Sequence, residues 1–240
     1  MFAVVTHARL RGAHRFPRML LATLAIRRDL RRARGLLRAA NVIAGPTEFL
    51  TLTVWTDRDA MRAFMSSGAH ERIMWRWPEL FSAFWLGRFS ATEREAGAWR
   101  GLRVGRLAAR GTAVRSDFIP PSFASRDPRP RDLEPLHLAA TTTIHHGGSA
   151  DAWIAGIRSW RDAHGRVRAD PRVLVSAAGP SLDGELATIA VWRDEAAASA
   201  AVPSLARDAA WSMAWRAVDE FGMWDGRRLR KLAAARAASA

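Results

Sequence analysis

The sequence predicts an α+β fold of two tandem ferredoxin-like units, each βαββαβ, whose antiparallel sheets pack face to face. Three landmarks predict it. Val54-Trp55-Thr56-Asp57 recurs as Val191-Trp192-Arg193-Asp194. A Gly-Pro pair precedes each copy, Gly45-Pro46 and Gly179-Pro180. A Trp-x-Gly-Arg follows each, Trp85-Leu86-Gly87-Arg88 and Trp224-Asp225-Gly226-Arg227. Landmarks in the same order with similar gaps, at so long a period, indicate a duplicated domain rather than a solenoid. The apolar face that each sheet leaves bare has to be covered, and packing one sheet on the other covers both.

The first unit spans residues 1–98. Phe2–Ala8 is β-rich. Pro17 suits the first turn of a helix, and Met19, Leu20, Leu24 and Leu30 give that helix an apolar stripe. Arg27, Arg28, Arg31 and Arg32 complement the dipole at its end, and Gly35 closes it. Asn41–Ala44 is a short strand ending at Gly45-Pro46. Phe49–Trp55 alternates cleanly, with Phe49, Thr51, Thr53 and Trp55 on one face and Leu50, Leu52 and Val54 on the other. Thr56 or Asp57 caps a helix reaching about Trp77, where Pro78 interrupts it. Phe84–Ser90 is the fourth strand.

Residues 99–134, rich in Arg, Gly and Pro, read as a linker. The second unit spans 135–228. Leu136–Ile144 is a Thr-rich strand, and Ser149 or Asp151 caps a helix through about His164. Arg172–Ala177 and Leu186–Trp192 are strands. Glu195–Glu220 reads as one Ala-rich helix broken near Pro203, and Phe221–Arg227 as the closing strand. Residues 229–240 read as a frayed basic tail.

Composition narrows the chemistry. There are no cysteines and no tyrosines, so thiolate and phenolate ligands and cysteine nucleophiles are excluded. The net charge is +14, and Lys231 is the only lysine. The arginines do not interleave with aromatics as a base-stacking surface would, so nucleic acid is not an expected partner. No signal peptide or membrane-spanning run is evident, and a cytoplasmic location is expected. Phosphate loops, His-Glu-x-x-His and nucleophile elbows are absent from the sequence.

The run Phe49–Trp55 followed by Asp57, Ala60-Met61, Phe64 and Ser67-Gly68-Ala69-His70 resembles the antibiotic biosynthesis monooxygenase superfamily of dimeric α/β barrels. It is most similar to spheroidene monooxygenase-like proteins, which also carry two such units. The resemblance implies an oxidoreductase, a monooxygenase associated with haem and acting on a hydrophobic small molecule. On that reading His70 is both catalytic and the haem iron ligand, Met74 lines the macrocycle, and arginines pair with the propionates. Trp55, Phe64 and Trp85 are the expected substrate-pocket residues.

Two alternatives stand beside it. One is a cofactor-free oxygenase of a phenolic or polyketide-type substrate, with His7 or His70 as general base. The other is a non-enzymatic barrel binding a ligand or polyanion. Adjacent residues of a regular strand point to opposite faces, so His145-His146 reads as strand-end polar residues. His14, His137 and His164 read as loop or helix-end residues, and the eleven tryptophans mainly as core. A homo-oligomer is a possible assembly.

Overall fold

The computed structural model describes residues 1–75, 77–109, 138–145 and 150–238. The first half runs β1 (Phe2–Leu10), α1 (Phe16–Leu30), β2 (Leu36–Ile43), β3 (Glu48–Trp55), α2 (Arg58–Met65), α3 (Gly68–Trp75), α4 (Trp77–Leu80) and β4 (Phe81–Gly97). After α5 (Val104–Ala109), the second half runs β5 (Ala139–His145), α6 (Ala150–Ala169), β6 (Val173–Pro180), β7 (Leu186–Trp192), α7 (Glu195–Ala206), β8 (Trp211–Met223) and α8 (Leu229–Ala238).

All neighbouring strands are antiparallel, in the order β2-β3-β1-β4-β8-β5-β7-β6. Each half therefore has the ferredoxin-like order, as expected from the repeat. The halves are not two separate sheets, however. β4 and β8 pair along their length and fuse them into one eight-stranded sheet. That sheet curls until its edge strands meet. Val42 bridges Ser181, and Leu182 N donates to Asn41 O at 2.9 Å. Gly179 permits the approach, because a Cβ there would lie 2.0 Å from the Ile43 carbonyl oxygen. The result is a nearly closed barrel with helices outside.

The alternation of β3 sorts its residues as the sequence implied. Leu50, Leu52 and Val54 point inward to a core shared by both halves, with Ala3, Val5, Ile189, Met213 and Trp215. Phe49, Thr51, Thr53 and Trp55 face the helices. Among the fully buried large side chains are Trp85, Trp99, Trp211 and Trp215, and such rings dominate the energetics of an interior.

The register redraws the repeat. Phe2 pairs with Trp55 and Ser90, and Ala139 pairs with Trp192 and Arg216. Trp85 therefore corresponds to Trp211, not to Trp224. The counterpart of Trp224 is Trp99: Trp99–Leu102 and Trp224–Arg227 form matching bridged turns just beyond β4 and β8. The second residue of each turn has positive φ, 50° at Arg100 and 48° at Asp225. A helix follows each turn. Glu95 accepts the Val104 and Gly105 amides of α5 and the Trp211 indole (2.6, 2.9 and 2.7 Å). Glu220 does the same for the Arg230 amide of α8 and the Trp85 indole (3.0 and 3.1 Å). Because β4 and β8 are antiparallel, these two helices close opposite ends of the barrel.

Three sequence expectations are corrected. The Ala-rich helix stops at Ala206, beyond Pro203 rather than at it, and β8 already begins at Trp211. Residues 221–227 are the end of β8 and its turn, not a separate strand. Residues 229–238 are no frayed tail: Leu229 and Ala233 of α8 are buried in the barrel core. Residues 110–134 of the expected linker lie outside the described residues, while 104–109 form α5.

Candidate functional site

Between the outer face of the first-half sheet and helices α1–α3 lies a cavity of about 100 Å³. Its floor is Val4 and Thr6 of β1, Thr51 and Thr53 of β3, and Phe84 and Leu86 of β4. Met19, Thr23, Ile26 and Leu30 of α1 form one wall, so Met19 and Leu30 of the expected stripe face inward. Leu24 turns outward and is exposed. Met61 and Phe64 of α2 and His70 of α3 form the roof.

The roof exists because the helix after β3 is broken. Asp57 caps α2 by accepting the Ala60 amide at 2.8 Å. The helix ends at Ser66, and the chain restarts at Gly68 with φ 60°. A side chain at residue 68 would be strained in that conformation, and its Cβ would lie 2.6 Å from Asp29 Oδ2. The same carboxylate oxygen accepts the Ala69 amide at 2.8 Å, tying the start of α3 to α1.

His70 Nδ1 lies 3.1 Å from the Met65 carbonyl oxygen. A carbonyl only accepts, so Nδ1 carries the proton and Nε2 of the neutral ring keeps its lone pair. Burial pushes the imidazole below its ordinary value, against the smaller upward pull of the Met65 bond. The ring also packs on Phe64 at 5.3 Å, and Phe64 packs on Trp55 at 5.4 Å. Trp55 Nε1 is satisfied by Thr53 Oγ1 at 2.9 Å. The site thus offers an apolar chamber with one neutral base on its rim.

Of the residues expected here, His70, Trp55 and Phe64 come together. His7 and Trp85 do not. They sit one residue out of phase with Thr6 and Phe84, and strand alternation sends them to the barrel interior. There His7 is fully buried, bonded to Glu48 Oε1 at 2.8 Å and stacked on Trp224 at 4.0 Å. Its hydrogen bond holds Glu48 below the usual carboxylate range. The side chain of Met74 and the whole of His137 and His146 lie outside the described residues. His145 is buried, with Nδ1 2.9 Å from the Asp208 carbonyl oxygen. Residues missed from sequence are Asn41, Thr51, Asp29 and Gly68. The spacing Gly68-Ala69-His70 was the available signal for the last, since a glycine beginning a helix marks a left-handed entry. Among the described residues, no group of three or more His, Asp or Glu is placed to hold a metal ion, and no helix is long and apolar enough to cross a membrane.

The site and barrel define an α+β barrel with its chamber outside the sheet. Residues 1–75 match the family described as antibiotic biosynthesis monooxygenase. No curated protein matches the chain. Among solved structures, a candidate monooxygenase from Fusobacterium nucleatum is similar over 92% of this chain and 94% of its own, at 8% identity and TM-score 0.37. A candidate monooxygenase from Lactobacillus acidophilus is similar over 90% and 92%, at 8% identity and TM-score 0.35. SnoaB, a cofactor-independent oxygenase from Streptomyces nogalater, is similar over 38% of this chain and 92% of its own, at 18% identity and TM-score 0.33.

Proposed function

We propose that this chain is an oxygenase of a compact hydrophobic molecule bound in the first-half chamber, with His70 as its general base. The observation that carries the reading is the pairing of an apolar cavity with an imidazole whose Nδ1 is committed to Met65 and whose Nε2 is free to take a proton. The family match over residues 1–75 supports it.

A free Nε2 is also the nitrogen an iron ligand needs. The cavity does not fit a haem, however. At about 100 Å³ it falls below the ~300 Å³ at which pockets for drug-sized ligands begin, and a macrocycle is larger than such ligands' smallest members. The same volume supports a compact substrate over a carotenoid of the kind implied by spheroidene monooxygenase-like proteins. The cofactor-free alternative therefore fits best. His70 Nε2 takes the hydroxyl proton of a phenolic substrate, and the resulting electron-rich anion reacts with oxygen. One oxygen atom replaces a ring hydrogen as a quinone carbonyl, and the other leaves as water, so no external reductant is needed.

The test is oxygen uptake on a panel of small phenols and naphthols. The native protein consumes oxygen and yields quinone, and His70→Ala slows this by about 100-fold or more. Equal rates in the two proteins contradict the role of His70. A Soret band on titration with hemin, lost in the same variant, returns the haem reading.

A further inference from the structure

Next to the chamber is a second recess of about 370 Å³, lined by Arg27, Arg31, Arg38 and Arg100 with Asp183. Leu30 and Asn41 line both recess and chamber. We infer that the recess holds the anionic group of an amphipathic substrate, a carboxylate or phosphate monoester, whose apolar body occupies the chamber. This rests on the proposed use of the chamber.

Charge is the first argument. Four guanidinium groups face two carboxylates, Asp183 paired with Arg27 and Glu185 accepting from Arg100 at 2.7 Å. Arg31 has no side-chain partner among the described residues and is exposed at the rim. Arg38 is half-buried and donates to the carbonyls of Leu37, Trp99 and Arg100 (2.7, 3.0 and 2.9 Å), which fixes its plane. Burial and the neighbouring Arg100 cation both push Arg38 below its ordinary value, with Glu185 opposing. An arriving anion relieves that repulsion.

The duplication supplies the second argument. The register places Val175 where Arg38 stands, and the matching turns place Asp225 where Arg100 stands. Asn41 corresponds to Ala178. The second half builds the same barrel without these groups, so the fold does not require them. Among the described residues, they stand beside the chamber of the first half.

The probes are octanol, octanoate and octyl phosphate, titrated at pH 7.5 against tryptophan fluorescence. Octanol should bind, and at least one anion should bind about tenfold tighter, as expected for charge-assisted hydrogen bonds. Which anion gains more identifies the headgroup. Arg31→Gln with Arg100→Gln should erase the advantage while leaving octanol unchanged. Ala22→Trp, or Thr6→Leu if the first variant has a lowered melting temperature, should block all three probes. Octanol binding with no anionic advantage overturns the inference and leaves the chamber reading intact. An advantage that survives a blocked chamber also overturns it, because the anion then binds alone. Failure of octanol to bind the native protein overturns the chamber reading and the inference with it.

Discussion

The two halves share one plan but differ where it matters. In the first, the helix after β3 breaks at Ser66 and an added segment, α3 and α4, follows before the strand resumes. In the second, α7 continues without a break to Ala206, and β8 begins at Trp211. The path from capping aspartate to equivalent tryptophan is correspondingly longer in the first half (Asp57 to Trp85) than in the second (Asp194 to Trp211). His70 lies on that added segment, which has no equivalent between α7 and β8. In the second half the equivalent space is packed. Ala197, Ala198, Ala201, Val202 and Leu205 of α7 sit directly on Ala139, Ala190 and Trp192. Small residues draw α7 onto the sheet, whereas Met61 and Phe64 hold α2 away from Thr51 and Thr53. Among the described residues, α7 thus packs onto the sheet where the first half holds its chamber.

The largest expected effect falls on the shared interior. Trp215→Ala should cost roughly 3–5 kcal/mol by urea unfolding, because it empties a fully buried site between the halves. Such a loss confirms that the halves fold as one cooperative body. A second unfolding transition for the untouched half would break that picture. His70→Ala should act chiefly on turnover, as described above. Gly68→Ala should cost about 1–2 kcal/mol, since it forces a side chain into positive φ against Asp29, and should lower turnover by displacing His70. The smallest effects belong to the matched caps. Asp57→Ala and Asp194→Ala should each cost about 1 kcal/mol, because they accept equivalent amides at 2.8 and 2.7 Å. Only the first should also reduce turnover.

The pH dependence follows from the lowered His70 value. The folded ring resists protonation while the unfolded ring accepts it near 6.5. Its contribution to stability is therefore complete above that value and lost as pH falls below it. Turnover should persist to pH values under 6.5 before its acid limb begins, and a limb at or above 6.5 would contradict a buried base.

Much of the fold was legible because local pattern and burial agree. β3 alternates strictly, and both capping aspartates follow a tryptophan. The mistakes arose where sequence similarity and register diverge. Trp85-Leu86-Gly87-Arg88 resembles Trp224-Asp225-Gly226-Arg227 letter for letter more than Trp99-Arg100-Gly101-Leu102 does, yet the last two share the turn. Helix propensity carried the Ala-rich reading through Trp211–Trp215, where Met213 and both tryptophans pointing inward set a strand period instead. His7 was one residue from the chamber face, and a one-residue difference in a strand decides the side. The arginine recess was not legible at all, because Arg27, Arg38, Arg100 and Asp183 meet only when the barrel edges close.

The central claim is that the first half holds a ligand chamber with His70 as a neutral base on its rim. Nitrogen-15 NMR of histidine-labelled protein, titrated with and without octanol, tests it most directly. The account predicts a His70 ring protonated on Nδ1, titrating below 6.5, with Nε2 shifted by octanol. A ring that titrates at or above the ordinary imidazole value and ignores octanol would contradict it.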